Sequence, residues 1–136
     1  MVGVRLDSAD TAAAEPQADE SLTHVLDRHV FEELLTTLGN DTHRVRSLYR
    51  KFVDSAATRI DEVRHQSVTA SAATFHALKG SAGMVGANRL AALAARLQEA
   101  TPGLDEETKA TAIRELAAEL ETFRRVLSVQ LDSLPP

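Results

Sequence analysis

Residues 42–66 read THRVRSLYRKFVDSAATRIDEVRHQ. Val45, Leu48, Phe52, Ala56, Ile60 and Val63 recur there at spacings of 3 and 4. That separation returns a side chain to the same face of an α-helix, whereas a strand would alternate every second residue. The stripe continues for about six turns and ends near Gln66-Ser67, and Asp41 or Thr42 is placed to cap its start. An apolar face this long is stable in water only when covered by partners of similar length.

The flanking sequence supplies such partners. Leu26, Val30, Leu34 and Leu38 repeat every four residues, and Gly39-Asn40 follows as a stop signal, which predicts a short helix near residues 27–38. A third helix starts near Thr69 or Ser71, carries Phe75, Leu78, Ala82 and Val85, and stops at Gly86. A fourth runs from Asn88 to about Ala100 with Leu90, Leu93 and Leu97 on one face, and Thr101-Pro102-Gly103 ends it. The last opens near Asp105, where Asp-Glu-Glu suits the positive end of a helix, and bears Ile113, Leu116, Leu120, Phe123 and Leu127. Short links between amphipathic helices favour antiparallel neighbours. The expected fold is therefore all-α: an antiparallel four-helix bundle with a short additional N-terminal helix.

Composition agrees. The 136 residues include 22 Ala and 17 Leu but only two Ile, four Phe, one Tyr and no Trp, a helix-forming rather than strand-forming mixture. Cysteine is absent, which excludes disulfides, thiolate catalysis and Cys-based metal sites. The net charge of -5 is unevenly spread. Residues 1–20 hold Asp7, Asp10, Glu15, Asp19 and Glu20 against Arg5 alone, and they read as a disordered acidic linker or leader. Residues 21–136 form the expected bundle domain and are nearly neutral, unlike a dedicated nucleic-acid binder. No apolar run approaches the roughly 20 residues that span a bilayer, and the N-terminus lacks a secretory pattern, so a cytoplasmic location is expected.

One helix face departs from the amphipathic rule. On a wheel of residues 74–86, TFHALKGSAGMVG, the core positions Phe75, Leu78, Ala82 and Val85 cluster within roughly 80°. His76 lies about 140° from their centre and should face solvent. Around it stand Ala72, Ala73, Lys79, Gly80 and Gly83. Glycine inside a helix costs roughly 1 kcal/mol relative to Ala. Close helix packing is an even alternative to a functional reading for Gly83 or Gly86. Gly80 points toward His76 and away from the core, so clearance for an approaching protein explains it better. The pattern is an isolated imidazole on a face of very small side chains, with a lysine one turn away.

His76-Ala77-Leu78-Lys79-Gly80-Ser81-Ala82, followed by Gly86-Ala87 and Leu90, resembles the core motif of histidine-containing phosphotransfer (HPt) domains, over about residues 25–130. The resemblance implies that His76 is the phosphorylated nucleophile, that Lys79 offsets phosphoryl charge, and that Ala73, Gly80 and Gly83 belong to a partner-binding face, with Gly86 structural. It also implies phosphoryl exchange with aspartates of response-regulator receiver domains. No cofactor is expected on this chain, and Mg2+ is expected on the partner receiver only. A neutral imidazole nitrogen is a competent nucleophile near pH 7. In one respect the chain departs from the family. Where the family often has a small residue or Cys and then Leu-Glu, this chain has Ala94 and then Leu97-Gln98-Glu99, so the acid is displaced by one.

The remaining residues add no chemistry. His24, His29, His43 and His65 form no recognised metal-ligand set, and no phosphate-cradling glycine loop for ATP occurs. Arg44, Arg46, Arg50 and Lys51 read as solvated face, with any partner contact secondary. Two readings compete with phosphotransfer. A purely structural adaptor bundle would show no phosphoryl acceptance. A sensor-kinase dimerisation domain usually carries an acid directly after its His, where this chain has Ala77. The expected partners are receiver domains, with no nucleic acid or direct membrane contact. The isolated domain is expected to be a monomer, tethered to the inner membrane if a parent hybrid sensor kinase carries it.

Overall fold

The computed structural model describes residues 25–135. The expected leader, residues 1–20, and the first four residues of the expected domain lie outside the described residues. Five α-helices follow in order: α1 (Arg28–Thr37), α2 (Thr42–Val63), α3 (Val68–Met84), α4 (Asn88–Ala100) and α5 (Glu106–Asp132), with a 3-10 turn at Thr101–Gly103.

Local chemistry sets the helix ends. Asp27, Asp41, Ser67 and Asp105 each sit in non-helical backbone, and their side-chain oxygens accept from amides of the first turn. α1 and α3 close with the same motif, in which the amides of Asn40 and Ala87 reach back five residues to the carbonyls of Leu35 and Ala82. Both closures need left-handed backbone, which Gly39 at φ +74° and Gly86 at φ +82° provide.

Helices α2 to α5 form a four-sided bundle. α3 packs most extensively on α4, α2 packs on α5, and the α2–α3 and α4–α5 contacts complete the ring. The stripes read from the sequence for α3, α4 and α5 are all buried. Two expectations shift. In α2, Tyr49 is buried in place of Leu48, which is half-buried. Its hydroxyl donates to the Val85 carbonyl at 2.9 Å, which removes the cost of burying a phenol. In α1, Phe31 is the buried residue, while Val30, Leu34 and Leu38 are half-buried. The Phe31 ring anchors this short helix by stacking on Tyr49 with centroids 5.7 Å apart, and half-buried Leu34, Leu35 and Leu38 pack against the same core. Phe123 extends the cluster to Tyr49 and Phe52.

The link between α2 and α3 is tied down by polar contacts. Buried Lys109 on α5 donates to the Gln66 carbonyl at 2.8 Å and pairs with Glu106 at 3.1 Å. The Thr74 hydroxyl donates to the Gln66 side chain at 2.8 Å. These bonds anchor the N-terminal half of α3, on which His76 stands.

Candidate functional site

The site begins with the register of α3. Phe75, Leu78 and Ala82 are fully buried, which fixes the rotation of the helix about its axis. His76 is thereby turned outward and is exposed, as are Ala73, Lys79, Gly80, Gly83 and Met84. At about 100° per residue these positions lie within roughly 80° of His76, on one face. Lys79 makes no hydrogen bond or ion pair among the described residues, so its ammonium is available to an approaching anion.

The two helical glycines on this face have open space around them. A Cβ built on Gly80 or Gly83 meets nothing within 4 Å. Neither is a packing glycine, and the close-packing alternative for Gly83 does not hold. Gly86 differs. A Cβ there would stand 3.1 Å from the Asp27 carbonyl oxygen and 3.2 Å from the Cβ atoms of Asp27 and Val30. Its own carbonyl accepts from the Asp27 amide at 2.7 Å. Gly86 thus brings the start of α1 against the end of α3, a structural role.

The structure adds a residue that the sequence reading passed over. Gln98 on α4 lies with its side-chain nitrogen 3.2 Å from His76 Nδ1. The displaced acid, Glu99, is exposed and makes no hydrogen bond among the described residues, so Gln98 meets the imidazole where the family often has Glu. An amide is suited to either imidazole tautomer, since it carries both a donor and an acceptor. When its N–H donates to Nδ1, the ring proton sits on Nε2. When the amide is turned by half a rotation, Oε1 accepts from Nδ1–H and the Nε2 lone pair is left bare toward solvent. In the second state the ring nitrogen facing solvent carries the lone pair that nucleophilic attack by an imidazole requires.

Next to this face, α1 and Met84 enclose a shallow groove of about 510 Å³ that includes Val30, Leu34 and Thr37. Met84 is 78% exposed, one of two large apolar side chains on the surface among the described residues. The helical wheel places Met84 on the His76 side, but its meeting with α1 depends on tertiary packing. Asp27, at the junction, has its carboxyl held below the usual range, foremost by the Val30 amide, with the Asn88 side chain and the His29 amide adding to the effect. Among the described residues no three His, Asp or Glu side chains converge as they would around a metal ion. No helix among them is long and apolar enough to cross a membrane.

Comparison with known proteins bears on this arrangement. No curated protein and no solved structure matches the chain significantly. A model of the Hpt domain family matches residues 47–134, well over half of the chain, including the histidine-bearing helix and the helix that holds its partner Gln98. The chain therefore belongs to the Hpt domain family, whose members carry phosphoryl groups on histidine in phosphorelays and exchange them with receiver domains.

Proposed function

We propose that His76 Nε2 is the atom that carries the phosphoryl group, and that the outer face of α3 is where receiver domains dock. The observation that carries this reading is the exposed imidazole whose Nδ1 is met by Gln98, on a face cleared by Gly80 and Gly83. In the forward step the Nε2 lone pair attacks the phosphorus of an aspartyl phosphate on the donor receiver. The N–P bond forms as the P–O bond breaks, and the aspartate leaves with its electron pair as a carboxylate. The proton stays on Nδ1, where Gln98 Oε1 accepts from it. The return step to a second receiver reverses these changes.

Such transfer is mostly a matter of positioning and electrostatics. Lys79 supplies a positive charge one turn from the reacting nitrogen. Met84 and the α1 groove extend the docking face with apolar surface beside the flat area of Ala73, Gly80 and Gly83. On this reading the bundle needs no cofactor of its own, and Mg2+ chemistry belongs to the receiver. The domain would span about residues 21–136 and act as a monomer on the cytoplasmic side, free or within a hybrid sensor kinase.

The test is transfer from a panel of phosphorylated receiver domains. Wild-type protein should acquire label that is lost in acid and survives alkali. His76→Gln should melt as the wild type does, because the side chain is exposed, and should acquire none. Label on the folded variant would remove His76 from its role. A fully unlabelled wild type across the panel would favour an adaptor without chemistry.

A further inference from the structure

A second surface lies on the other side of the bundle. The first half of α2 carries Arg44, Arg46, Arg50 and Lys51, with no acid between Asp41 and Asp54. The domain tolerates this concentration although residues 21–136 sum to only -1. Between α2 and α5 these arginines border a groove of about 330 Å³. Arg46, Arg50 and Arg124 rim it, apolar Val53, Leu127 and Leu131 line it, and Asp54 is its one acid. Arg124 is engaged by Glu121 at 2.7 Å, and Arg46 by the Leu131 carbonyl at 3.0 Å and the Asp132 carboxylate at 3.9 Å. Arg50 is exposed and has no hydrogen-bond or ion-pair partner among the described residues.

The sequence contains one strongly acidic stretch, and it is tethered close by. Residues 1–20 hold five acids and one base, with Val2, Val4 and Leu6 among them. The chain enters the bundle at buried Val25, and the Asp27 amide donates to the Gly86 carbonyl. Tyr49, which lines the groove, donates to the neighbouring carbonyl of Val85. The entry point and the groove are thus fixed to consecutive residues. An extended chain covers up to about 3.5 Å per residue, so the five residues from Glu20 to Val25 reach about 17 Å. One turn of α2 is about 5.4 Å, which brings Arg46 and Arg50 within range.

We propose that the groove between α2 and α5 binds the chain's own acidic segment, residues 1–20. Its carboxylates meet exposed Arg50 foremost and compete with Asp132 for Arg46, and its apolar residues cover half-buried Val53 above the buried floor of Leu127 and Leu131. Tethering makes the contact intramolecular, at an effective concentration that a free acidic peptide would have to exceed to displace it. The groove is on the α2–α5 side and His76 on the α3–α4 side, so occupancy leaves the imidazole accessible. The proposal therefore stands apart from the phosphotransfer reading.

The test uses the full chain, which lacks cysteine, with a nitroxide on Ala13→Cys. Amide signals of residues 46–54 and 124–131 should lose most of their intensity, while those of residues 72–83 keep theirs. The loss should disappear in about 1 M salt, where the Debye length is about 3 Å. It should also disappear when Asp7, Asp10, Glu15, Asp19 and Glu20 are replaced by their amides, and in Arg46→Gln/Arg50→Gln, whose folding is checked by its melting curve. Uniform broadening, broadening centred on residues 72–83, or persistence in high salt overturns the proposal. So does broadening that appears only between a labelled and an unlabelled copy, which would make a second molecule the occupant.

Discussion

Gly86→Ala and Gly80→Ala are the same substitution in one helix-turn segment, and the structure assigns them opposite signs. At Gly86 the backbone is left-handed, φ +82°, and adopting that region costs an L-residue about 1–2 kcal/mol. The new methyl would meet the Asp27 carbonyl oxygen at 3.1 Å. That backbone cannot retreat without lengthening the 2.7 Å bond from the Asp27 amide to the Gly86 carbonyl, a bond worth about 1 kcal/mol. Together the loss is about 2–3 kcal/mol, and at roughly 4 °C per kcal/mol for a domain of this size the melting temperature falls by about 8–12 °C. At Gly80 the backbone is helical and a Cβ meets nothing, so Ala gains up to about 1 kcal/mol of helix propensity, a rise of about 4 °C. The assay is thermal and urea unfolding followed by helical circular dichroism on both variants. If Gly86→Ala melts with the wild type, the α1–α3 junction is not held as described. If Gly80→Ala melts lower, the outer face of α3 is not open.

Gly80→Gln should fold normally yet slow phosphoryl transfer, because the added side chain stands where the receiver approaches; equal transfer rates would move the docking face elsewhere. Lys79→Ala should leave the melting temperature unchanged, since an exposed unpaired charge contributes little to stability, and should lower the transfer rate measured by single-turnover labelling. Gln98→Ala removes one hydrogen bond to the imidazole, and a loss of about 1.4 kcal/mol in the transition state reads as a tenfold slower transfer. Gln98→Glu can still accept from Nδ1–H and so should retain more transfer activity than Gln98→Ala in the same single-turnover assay. Asp27 is one of the carboxylates that contribute to acid stability. Its folded pKa is depressed, so its contribution is present above the unfolded carboxylate range near 3.9 and is lost as pH falls through the lower folded value. Asp27→Asn should be less stable than wild type at pH 7, and its urea midpoint should fall less steeply below about pH 4; parallel pH curves would contradict this.

Helix existence, helix ends and the outward turn of His76 were determined by the sequence alone, because they follow from contacts within a few residues. Spacings of 3 and 4 select a face, Asp and Ser oxygens cap amides two or three residues on, and glycine takes the left-handed step at Gly39 and Gly86. Ala73, Lys79, Gly80 and Gly83 shared the histidine's face for the same reason. The choice between Leu48 and Tyr49 was not local. The two lie about 100° apart on the helix, and Tyr49 is buried because a carbonyl on another element, Val85, receives its hydroxyl. Lys109 was likewise indistinguishable from surface until the Gln66 carbonyl, 43 residues away, was brought to its ammonium. Gln98 is the functional instance. The resemblance drew attention to Leu97-Gln98-Glu99 only for its displaced acid, and Gln98 meets His76 across 22 residues because α3 and α4 pack in one axial register. That register is set by how the buried side chains of two helices interlock, a property of the pair that neither helix carries by itself.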